Sequence, residues 1–353
     1  MCINLNVGNR WERSYLDQII KLNKKHKRVQ VKEMYGSVAG VLTSVRPDYR
    51  VPKVHREFMH DYIKRANDNG IEINYTFNRS CIGSLGMASF EHEYIQNVIQ
   101  DLEGMGVARF TIASPFLMES LVYKHIEVST IVNQPSIKAI VSSTRLASSI
   151  DKVCLPLYMN RSFGKLKVID TILTQELVTP ELMVNEFCAA EDGFCVRRDE
   201  CYRIQSHGGN PIKDFHNYPA GACISARGKN PVNWLRAPFI LPEDMGKYKA
   251  ITGINHFKVT GRTHSAKSLL KVIGYYMDEQ SPKSLCDLWG IPLEKVYGEL
   301  GYKPVDIPTA KLKKFLTYFI KSDKDCLDFV CGTTCNYCKD YYYAQIRPHY
   351  STE

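Results

Sequence analysis

The chain lacks a long uninterrupted hydrophobic segment, although apolar residues make up 44% of its 353 positions. A helix needs about 20 consecutive apolar residues to cross a bilayer, so we expect no membrane span. The first residues also lack the basic segment and apolar run that mark a secretory signal. We therefore expect a cytoplasmic protein, in which thiols stay mostly reduced.

Several motifs that would assign a function directly are absent too. No glycine-rich turn of the dinucleotide-binding type follows the first predicted strand, where only Gly36 and Gly40 occur. The sequence has no zinc-protease helix motif, no nucleic-acid-binding motif, no internal repeat and no low-complexity segment. An open, doubly wound sheet is thereby disfavoured and becomes the second choice of fold.

Basic residues outnumber acidic ones, 46 against 37, which gives a formal net charge of +9. Such an excess favours an anionic partner, such as RNA, an anionic metabolite or an acidic protein. Lysines scattered over solvated helix faces are nevertheless its commoner cause. The charge therefore predicts a preference for anions and does not choose among these partners.

Short apolar segments rich in β-branched residues alternate along the chain with amphipathic helical stretches. Eight segments have this character, at spacings that suit a strand followed by a crossover helix. They are 29–34, 71–77, 108–113, 137–142, 153–157, 182–186, 238–241 and 255–259. Because a closed barrel of parallel strands needs eight, the pattern predicts an α/β fold, a TIM-like (β/α)8 barrel.

Composition divides the chain into three regions. We expect the barrel in residues 1–262, with a cysteine-containing insertion at 185–235 that has no obvious regular element. Residues 263–321 predict a helical C-terminal extension interrupted by prolines. Residues 322–353 form a cysteine- and tyrosine-rich tail that is too short for an apolar core of its own, so we expect bound metal to stabilise it.

Polar residues fall where the predicted strands end, which in such barrels is where catalytic residues lie. The candidates are Glu33, Asn78, Asn160, Arg161, Asn185, Glu186 and Arg262, with Lys258 as weaker evidence. Each of them alone also fits a helix cap, a turn or a surface salt bridge. Together they predict a barrel mouth that recognises a carboxylate or another planar polar group through paired donors.

Four cysteines lie in the loop-rich stretch between residues 185 and 233: Cys188, Cys195, Cys201 and Cys223. A loop this long inside a compact domain is usually functional. In a reducing compartment, grouped thiols indicate metal binding rather than disulfides. Their spacing matches neither a zinc finger nor a ferredoxin, so zinc and an iron–sulfur cluster both remain open.

A second, denser group in the tail consists of Cys326, Cys331, Cys335 and Cys338. Four thiols this close in a polar segment predict a metal site, because exposed unligated thiols would be open to oxidation. The last three also have the spacing of radical S-adenosylmethionine enzymes. In those enzymes the motif follows an early barrel strand, so that reading is a minor alternative.

Four cysteines stand apart from these groups, and three of them, besides Cys2, lie within or near predicted elements. Cys154 lies within a predicted strand and Cys286 within a predicted helix, so both are expected to be core residues. Cys81 lies near the predicted mouth, where it is an extra ligand, a reactive thiol or a packed small side chain. A cysteine nucleophile would need a neighbouring base, and the sequence does not show which histidine approaches it.

The segment LMVNEFC at 182–188, followed by Cys195 and by RRDECY at 197–202, is similar to the signature region of the peptidase U-32 family. FILPEDM at 239–245 and INHFKVTGR at 254–262 resemble that family's segments leading into its last barrel strand. Residues 75–78 and 160–161 also fit. The resemblance covers about residues 27–280 in order and agrees with the barrel predicted from the strand count.

The resemblance implies a cofactor as well as a fold. Several members look like oxygen-independent hydroxylation proteins that act on ubiquinone precursors, transfer RNA or ribosomal RNA, and some are linked to prephenate as the hydroxyl source. They use cysteine-ligated iron–sulfur clusters, so the resemblance implies one or two 4Fe-4S clusters here. Cys188 and Cys195 match the first two ligands and Cys223 the last. Cys201 is a provisional third, because it lies closer to Cys195 than is usual.

Three hypotheses follow. The first is an iron–sulfur enzyme that hydroxylates or otherwise modifies an anionic or planar small molecule or RNA at the barrel mouth, with Glu33 or Glu186 moving protons. The second is a U-32 family peptidase in which the thiols hold structural zinc. The third is a non-catalytic subunit that pairs with a related family protein or an electron donor.

Overall fold

The computed structural model describes most of the chain, with gaps at several loops. The described residues are 2–38, 52–78, 89–114, 117–118, 121, 125–129, 138, 141–142, 149–188, 218–262, 264–291, 293–303, 305–322 and 324–347. Of the predicted site residues, Cys81, Cys195 and Cys201 lie outside these ranges.

Eight parallel strands close into a barrel in which each strand pairs with its neighbours in sequence and β1 pairs with β8. The strands are β1 Ile3–Gly8, β2 Val29–Gly36, β3 Glu72–Phe77, β4 Arg109–Ile112, β5 Ile126–Val128, β6 Ile150–Cys154, β7 Thr179–Met183 and β8 His256–Val259. The closed order confirms the predicted TIM-like (β/α)8 fold and excludes the open sheet.

The first strand shows why these segments form a barrel wall. It reads INLNVG, so apolar and asparagine side chains alternate between its two faces. Ile3, Leu5 and Val7 are buried in the main hydrophobic core, whereas the amide of Asn6 reaches Glu181 of β7 across the barrel. Apolar side chains therefore pack outward against helices and polar ones point into the barrel.

Helices surround the strands and continue beyond them. The described helices are α1 Arg13–Lys25, α2 Arg56–Asp68, α3 Ser89–Gly104, α4 Phe163–Gln175, α5 Tyr218–Lys229, α6 Val232–Arg236, α7 Met245–Thr252, α8 Ala266–Met277, α9 Leu293–Glu299, α10 Phe315–Ser322 and α11 Tyr337–Tyr341. None of those described is long and apolar enough to cross a membrane.

Helix α8 follows the last strand and begins at Ser265, whose hydroxyl accepts a hydrogen bond from the amide of Ser268 at 3.2 Å. It packs against α1 and β2, beside the first strands of the barrel. This helix was expected in the C-terminal extension. Its contacts give it the place of the barrel's eighth helix.

Two of the eight predicted strands are wrong. In the segment 137–142, the described residues Lys138, Val141 and Ser142 are helical. The segment 238–241 is irregular, and Ile240 donates one backbone hydrogen bond to Val184 just after β7. The strands that take their places are β1 and β5, which the apolar-run criterion missed because β1 alternates with asparagine and β5 has only three residues.

The tail packs on α10 through aromatic rings. Tyr337 stacks on Tyr318 with ring centroids 3.8 Å apart and on Phe315 at 5.3 Å. Tyr341 meets Phe315 edge-on at 5.1 Å and donates its hydroxyl to the carbonyl of Lys311. The tail therefore shares an apolar core with the helical region, which offsets its small size.

Candidate functional site

The barrel interior holds a layer of charged side chains instead of the branched apolar residues usual in such barrels. Lys152 of β6 contacts three carboxylates: Glu181 at 2.6 Å, Glu33 at 3.0 Å and Glu127 at 3.6 Å. Lys258 of β8 contacts Glu127 at 2.5 Å and Glu181 at 3.2 Å. Each of these five residues is less than a tenth exposed.

Neutral and cationic partners complete this layer on the β2–β4 side. Asn74 of β3 donates to Glu33 at 2.8 Å and to Glu127 at 2.7 Å, and its carbonyl accepts from Thr111. Arg109 of β4 donates to Glu33 at 2.6 Å and also pairs with Asp151 near the amino end of the barrel. Every buried carboxylate therefore faces at least one cation, as burial of charge requires.

The network sets the protonation of its members. Burial alone would raise the pKa of Glu33 and Glu181, but Lys152 lies beside both and holds their pKa values below the usual range. At Glu127 burial prevails over Lys258, so its pKa is raised. The carboxylates raise the pKa of Lys152 and Lys258 despite burial, so both amines are charged at neutral pH.

Cys154 ends β6 just above this charged layer. Its sulfur and one oxygen each of Glu127 and Glu181 lie within 4.8 Å of one another, close enough to share a metal ion. Both carboxylates already pair with lysines, so a cation would have to displace those ion pairs. Burial raises the pKa of the Cys154 thiol well above its usual value, which leaves it protonated.

Tyr35, Lys258 and Arg262 form a polar group at the carboxyl end of the barrel. The Lys258 ammonium lies 4.6 Å from the centre of the Tyr35 ring. Burial raises the pKa of Tyr35 to about 12, and its hydroxyl donates to the carbonyl of Val259. Arg262 donates to Thr76 of β3 at 2.7 Å. Two cations and a phenol therefore lie where a ligand would enter.

The candidate residues from the sequence separate into different surroundings. Arg262 is half-buried at the mouth, and Asn78 and Glu186 are half-buried after β3 and β7. Glu33 lies inside the barrel, because β2 continues to Gly36. Asn185 donates to the carbonyls of Thr260 and Leu288, and its oxygen accepts from the Thr260 amide at 2.7 Å. Asn185 therefore joins the loops after β7 and β8.

Asn160 and Arg161 hold the chain after β6. The Asn160 amide donates to the carbonyls of Met183 and Pro238, both at 2.7 Å. The Arg161 guanidinium donates to the carbonyls of Leu235, Arg236 and Ala237 and is only 2% exposed. The donor groups of both side chains therefore bond backbone carbonyls. The catalytic roles of Asn160 and Arg161 stay predictions.

The first cysteine group is described in part. Cys188 follows β7 and packs against Cys154 and Met183 at the barrel mouth. The buried Arg227 of α5 donates to the carbonyls of Phe187 and Cys223. The backbone beside Cys188 and the backbone of Cys223 therefore both contact the Arg227 side chain. The structure thus draws the first and last predicted ligands toward the same region, beside the mouth.

The second cysteine group converges on one pocket. Cys326, Cys331, Cys335 and Cys338 all line it, together with Arg161 and Tyr158. A tight turn carries Cys331 and Cys335: Gly332 has a φ of +84°, its amide donates to the Cys335 carbonyl, and the Cys335 amide donates to Val330. Arg161 approaches the Cys338 sulfur at 3.8 Å. Four thiols around one cavity fit a thiolate-ligated metal group.

The charged layer of Glu127, Lys152 and Glu181 was not predicted from the sequence. The predicted site residues come from strand ends, whereas these three lie within β5, β6 and β7. A signal was present for two of them, because Glu127 stands between Ile126 and Val128 and Glu181 between Pro180 and Leu182, each in a short strand that is largely buried. Such a residue must point into the barrel and find a partner there.

His256 at the start of β8 makes the stability of the folded protein depend on pH. Burial, and then the charge of Lys152, lower its pKa from 6.5 to about 4, and its Nε2 lies 3.0 Å from the Asn4 amide. The unfolded chain binds this proton at higher pH than the folded one. The contribution of His256 to the free energy of unfolding is therefore present above pH 6.5 and is lost as pH falls toward 4. The free energy changes by about 2–3 kcal/mol over this range.

The expected result is that His256→Gln flattens the dependence of unfolding free energy on pH between 4 and 6.5. Chemical denaturation at several pH values measures it, with the exposed His60→Gln as control. An unchanged slope in His256→Gln would mean that this histidine does not titrate as inferred.

Comparison with known proteins gives one informative sequence relative. No known family profile matches the chain. A protein of Methanocaldococcus jannaschii named an uncharacterized protease is 25% identical over 339 residues, which are 92% of this chain and 91% of the relative. Relatedness over nearly the whole length indicates a common fold.

Two solved structures are also similar. The structure of the U32 peptidase Mk0906 aligns with a TM-score of 0.47 and 13% identity, over 62% of this chain and 84% of that one. An HpcH/HpaI aldolase from Desulfitobacterium hafniense aligns with a TM-score of 0.34 and 8% identity, over 64% and 93%.

Fold and interior together define the class of this protein: a closed parallel (β/α)8 barrel with a charged interior and cysteine groups beside it. Within that class the chain resembles the peptidase U-32 family, as its sequence motifs predict.

Proposed function

We propose that the protein is an iron–sulfur-dependent enzyme of the U-32 type that hydroxylates, without oxygen, or otherwise modifies by redox chemistry a metabolite or RNA. The observation that carries the proposal is the convergence of four tail cysteines on one pocket. Thiolates at this density are the ligands of iron–sulfur clusters and of structural zinc. The buried Arg161 guanidinium lies 3.8 Å from the Cys338 sulfur and places a positive charge beside this set of ligands.

Two sets of residues would hold clusters in this proposal. The tail set is Cys326, Cys331, Cys335 and Cys338, and the set predicted from the sequence resemblance is Cys188, Cys195, Cys201 and Cys223, of which Cys188 and Cys223 lie among the described residues. Such a group, when bound, supplies one-electron chemistry that side chains cannot provide. Cys188 packs against Cys154 at the mouth. This contact supports the view that the set containing Cys188, rather than the tail set, serves a substrate there.

The protein's own side chains would then bind and orient the substrate. Arg262, half-buried at the mouth, suits a carboxylate or another anionic group. Lys258 stays paired with Glu127 and Glu181 and adds positive charge beneath the mouth, where it contacts the Tyr35 ring. Glu127 can hold a proton next to them, because burial raises its pKa. A small anionic or planar molecule, or an RNA base with its phosphate, fits this combination.

A peptidase remains the second candidate, since the relative from M. jannaschii is named a protease. Cys154 makes a poor nucleophile, because its thiol is buried and protonated. A metal-dependent hydrolase would instead need an activated water, for which Glu127 and Glu181 would have to release their lysines.

Metal analysis after anaerobic purification separates these candidates. We expect broad absorption near 400 nm and about four irons per occupied site, with sulfide in similar amount. Cys338→Ala should remove the share of iron bound in the tail. The matched control is Cys286→Ala, a buried thiol that bonds the Val305 carbonyl away from the pocket and should retain all iron.

Each alternative result has a definite meaning. A colourless protein that contains zinc alone would overturn the redox proposal and favour the hydrolase. Iron that is retained in full by Cys338→Ala would place the cluster elsewhere and remove the tail from the proposal.

A further inference from the structure

We infer that the surface around the tail pocket is the docking face for a small acidic one-electron carrier protein. This face consists of Arg236, Lys324, Val330, Lys339 and the turn at 331–335. The inference rests on the proposed function, because a carrier is useful only if the pocket holds a redox group. In the reaction, the reduced carrier loses one electron and the group in the pocket gains it.

The pocket lies close enough to solvent for such an exchange. Three of its cysteines, Cys326, Cys331 and Cys335, are half-buried, and the turn between the last two is exposed. Cys338 alone is buried, on the side of Arg161 and the barrel. A group ligated here would therefore have one side against the barrel and the other near the surface.

Cations surround this opening. Arg236 and Lys339 line the pocket, and Arg236 lies so near the turn that a side chain at Gly332 would meet its guanidinium at 3.7 Å. Lys324 is exposed, with its ammonium 5.3 Å from the Phe329 ring. These three charges lie on different elements of the chain and share one face.

Nearby carboxylates cancel these charges only in part. Asp325 is buried and pairs with Lys165 at 2.5 Å, and Asp328 contacts the same lysine at 3.3 Å. One lysine thus serves two carboxylates, and the exposed Asp328 offsets one of the three cations. Asp340, next to Lys339, is exposed and reduces the positive charge only in part.

An exposed apolar residue lies beside the turn. Val330, directly before Cys331, is 59% exposed. Weak redox complexes bury little area and depend on complementary charge for fast encounter. A face with more cations than exposed carboxylates and one exposed apolar side chain, beside a thiolate pocket, therefore matches an acidic carrier, such as a flavodoxin-like or ferredoxin-like protein.

Charge reversal tests the inference on the full chain purified anaerobically. Isothermal calorimetry measures the Kd for an oxidised acidic flavodoxin at low salt with the double variant Lys324→Glu and Lys339→Glu. We expect at least tenfold weaker binding, about 1.4 kcal/mol, and wild-type affinity that falls as salt rises. Stopped-flow reduction of the bound iron by reduced flavodoxin should slow in parallel, while dithionite reduces both proteins equally.

The matched control reverses two exposed lysines on the other side of the barrel, Lys21→Glu in α1 and Lys267→Glu in α8. It changes the net charge equally and should alter the Kd less than twofold. Equal weakening by both double variants, or salt-independent binding, would overturn the inference. So would displacement of flavodoxin by single-stranded RNA with the same dependence on Lys324 and Lys339, which would assign the face to nucleic acid.

These outcomes are separable from failure of the proposed function. A protein without iron removes the proposed redox function, whatever the calorimetry gives. Iron present together with charge-independent binding removes the docking face alone.

Discussion

Lys152→Met is expected to lower the free energy of unfolding by about 3–5 kcal/mol at neutral pH. Methionine fills a similar volume, so the loss comes mainly from charge. Without Lys152, Glu33 and Glu181 lose their shared cation while remaining less than a tenth exposed. Lys258 and Arg109 would then have to balance three buried carboxylates.

The pH dependence of Lys152→Met identifies this cause. In the variant a buried carboxyl group takes up a proton on folding, because its folded pKa now lies above the unfolded value. That contribution is present at low pH and lost as pH rises through the folded pKa. The difference in stability between variant and wild type should therefore be smaller near pH 5 than near pH 8, as measured by urea denaturation.

Two further variants separate charge from packing. Lys152→Met combined with Glu181→Gln removes one charge of each sign and should recover part of the loss. Lys64→Met removes an exposed lysine paired with Asp68 and should leave stability nearly unchanged. If the double variant were as unstable as the sum of the two single changes, the loss would come from packing rather than from unbalanced charge.

The class of fold follows from the alternation of apolar strands and amphipathic helices, and the structure confirms it. Individual strands were harder to place. The segment 238–241 is apolar because it is buried as an irregular connection, and a buried run of four residues has no periodicity that distinguishes it from a strand. β5 is too short to give such a signal, and its place in the barrel comes from pairing with β4 and β6.

Of the candidate site, the tail cysteines could be predicted from the sequence, whereas the charged layer could not. Dense cysteine spacing in the tail indicates a shared pocket, because one tight turn within the thirteen residues from Cys326 to Cys338 is enough to bring the four thiols to one cavity. The charged layer depends on side chains from five strands, and their contacts arise only when the barrel closes. No local pattern states that Lys152 of β6 lies between Glu33 of β2 and Glu181 of β7.

Arg161 also shows that sequence position alone does not identify the partners of a side chain. Its position after β6 suggested a substrate-binding arginine, yet its guanidinium donates to three successive carbonyls between Leu235 and Ala237. Three aromatic rings, Phe239, Phe315 and Phe319, surround it at 5.0–5.5 Å. These partners belong to the chain before α7 and to α10, so Arg161 joins the barrel to the surface that carries the tail.

Arg161→Lys should consequently destabilise the protein by about 2–4 kcal/mol, because one ammonium cannot replace a planar group that satisfies several buried carbonyls. We also expect the tail to loosen. Cys338 lies 3.8 Å from the guanidinium, so limited proteolysis should cut the tail earlier and less iron should remain bound. Arg13→Lys, at an exposed arginine, is the control for the substitution itself and should change neither property.

A substrate-binding role makes the opposite prediction for Arg161→Lys. If the guanidinium acted on a ligand at the mouth, the variant would keep its unfolding free energy within about 0.5 kcal/mol and retain its tail protection and iron, while ligand affinity fell. Denaturation and proteolysis of the purified variant decide between these roles without knowledge of the substrate. Loss of stability together with loss of iron would show that the tail pocket depends on the barrel through this one side chain.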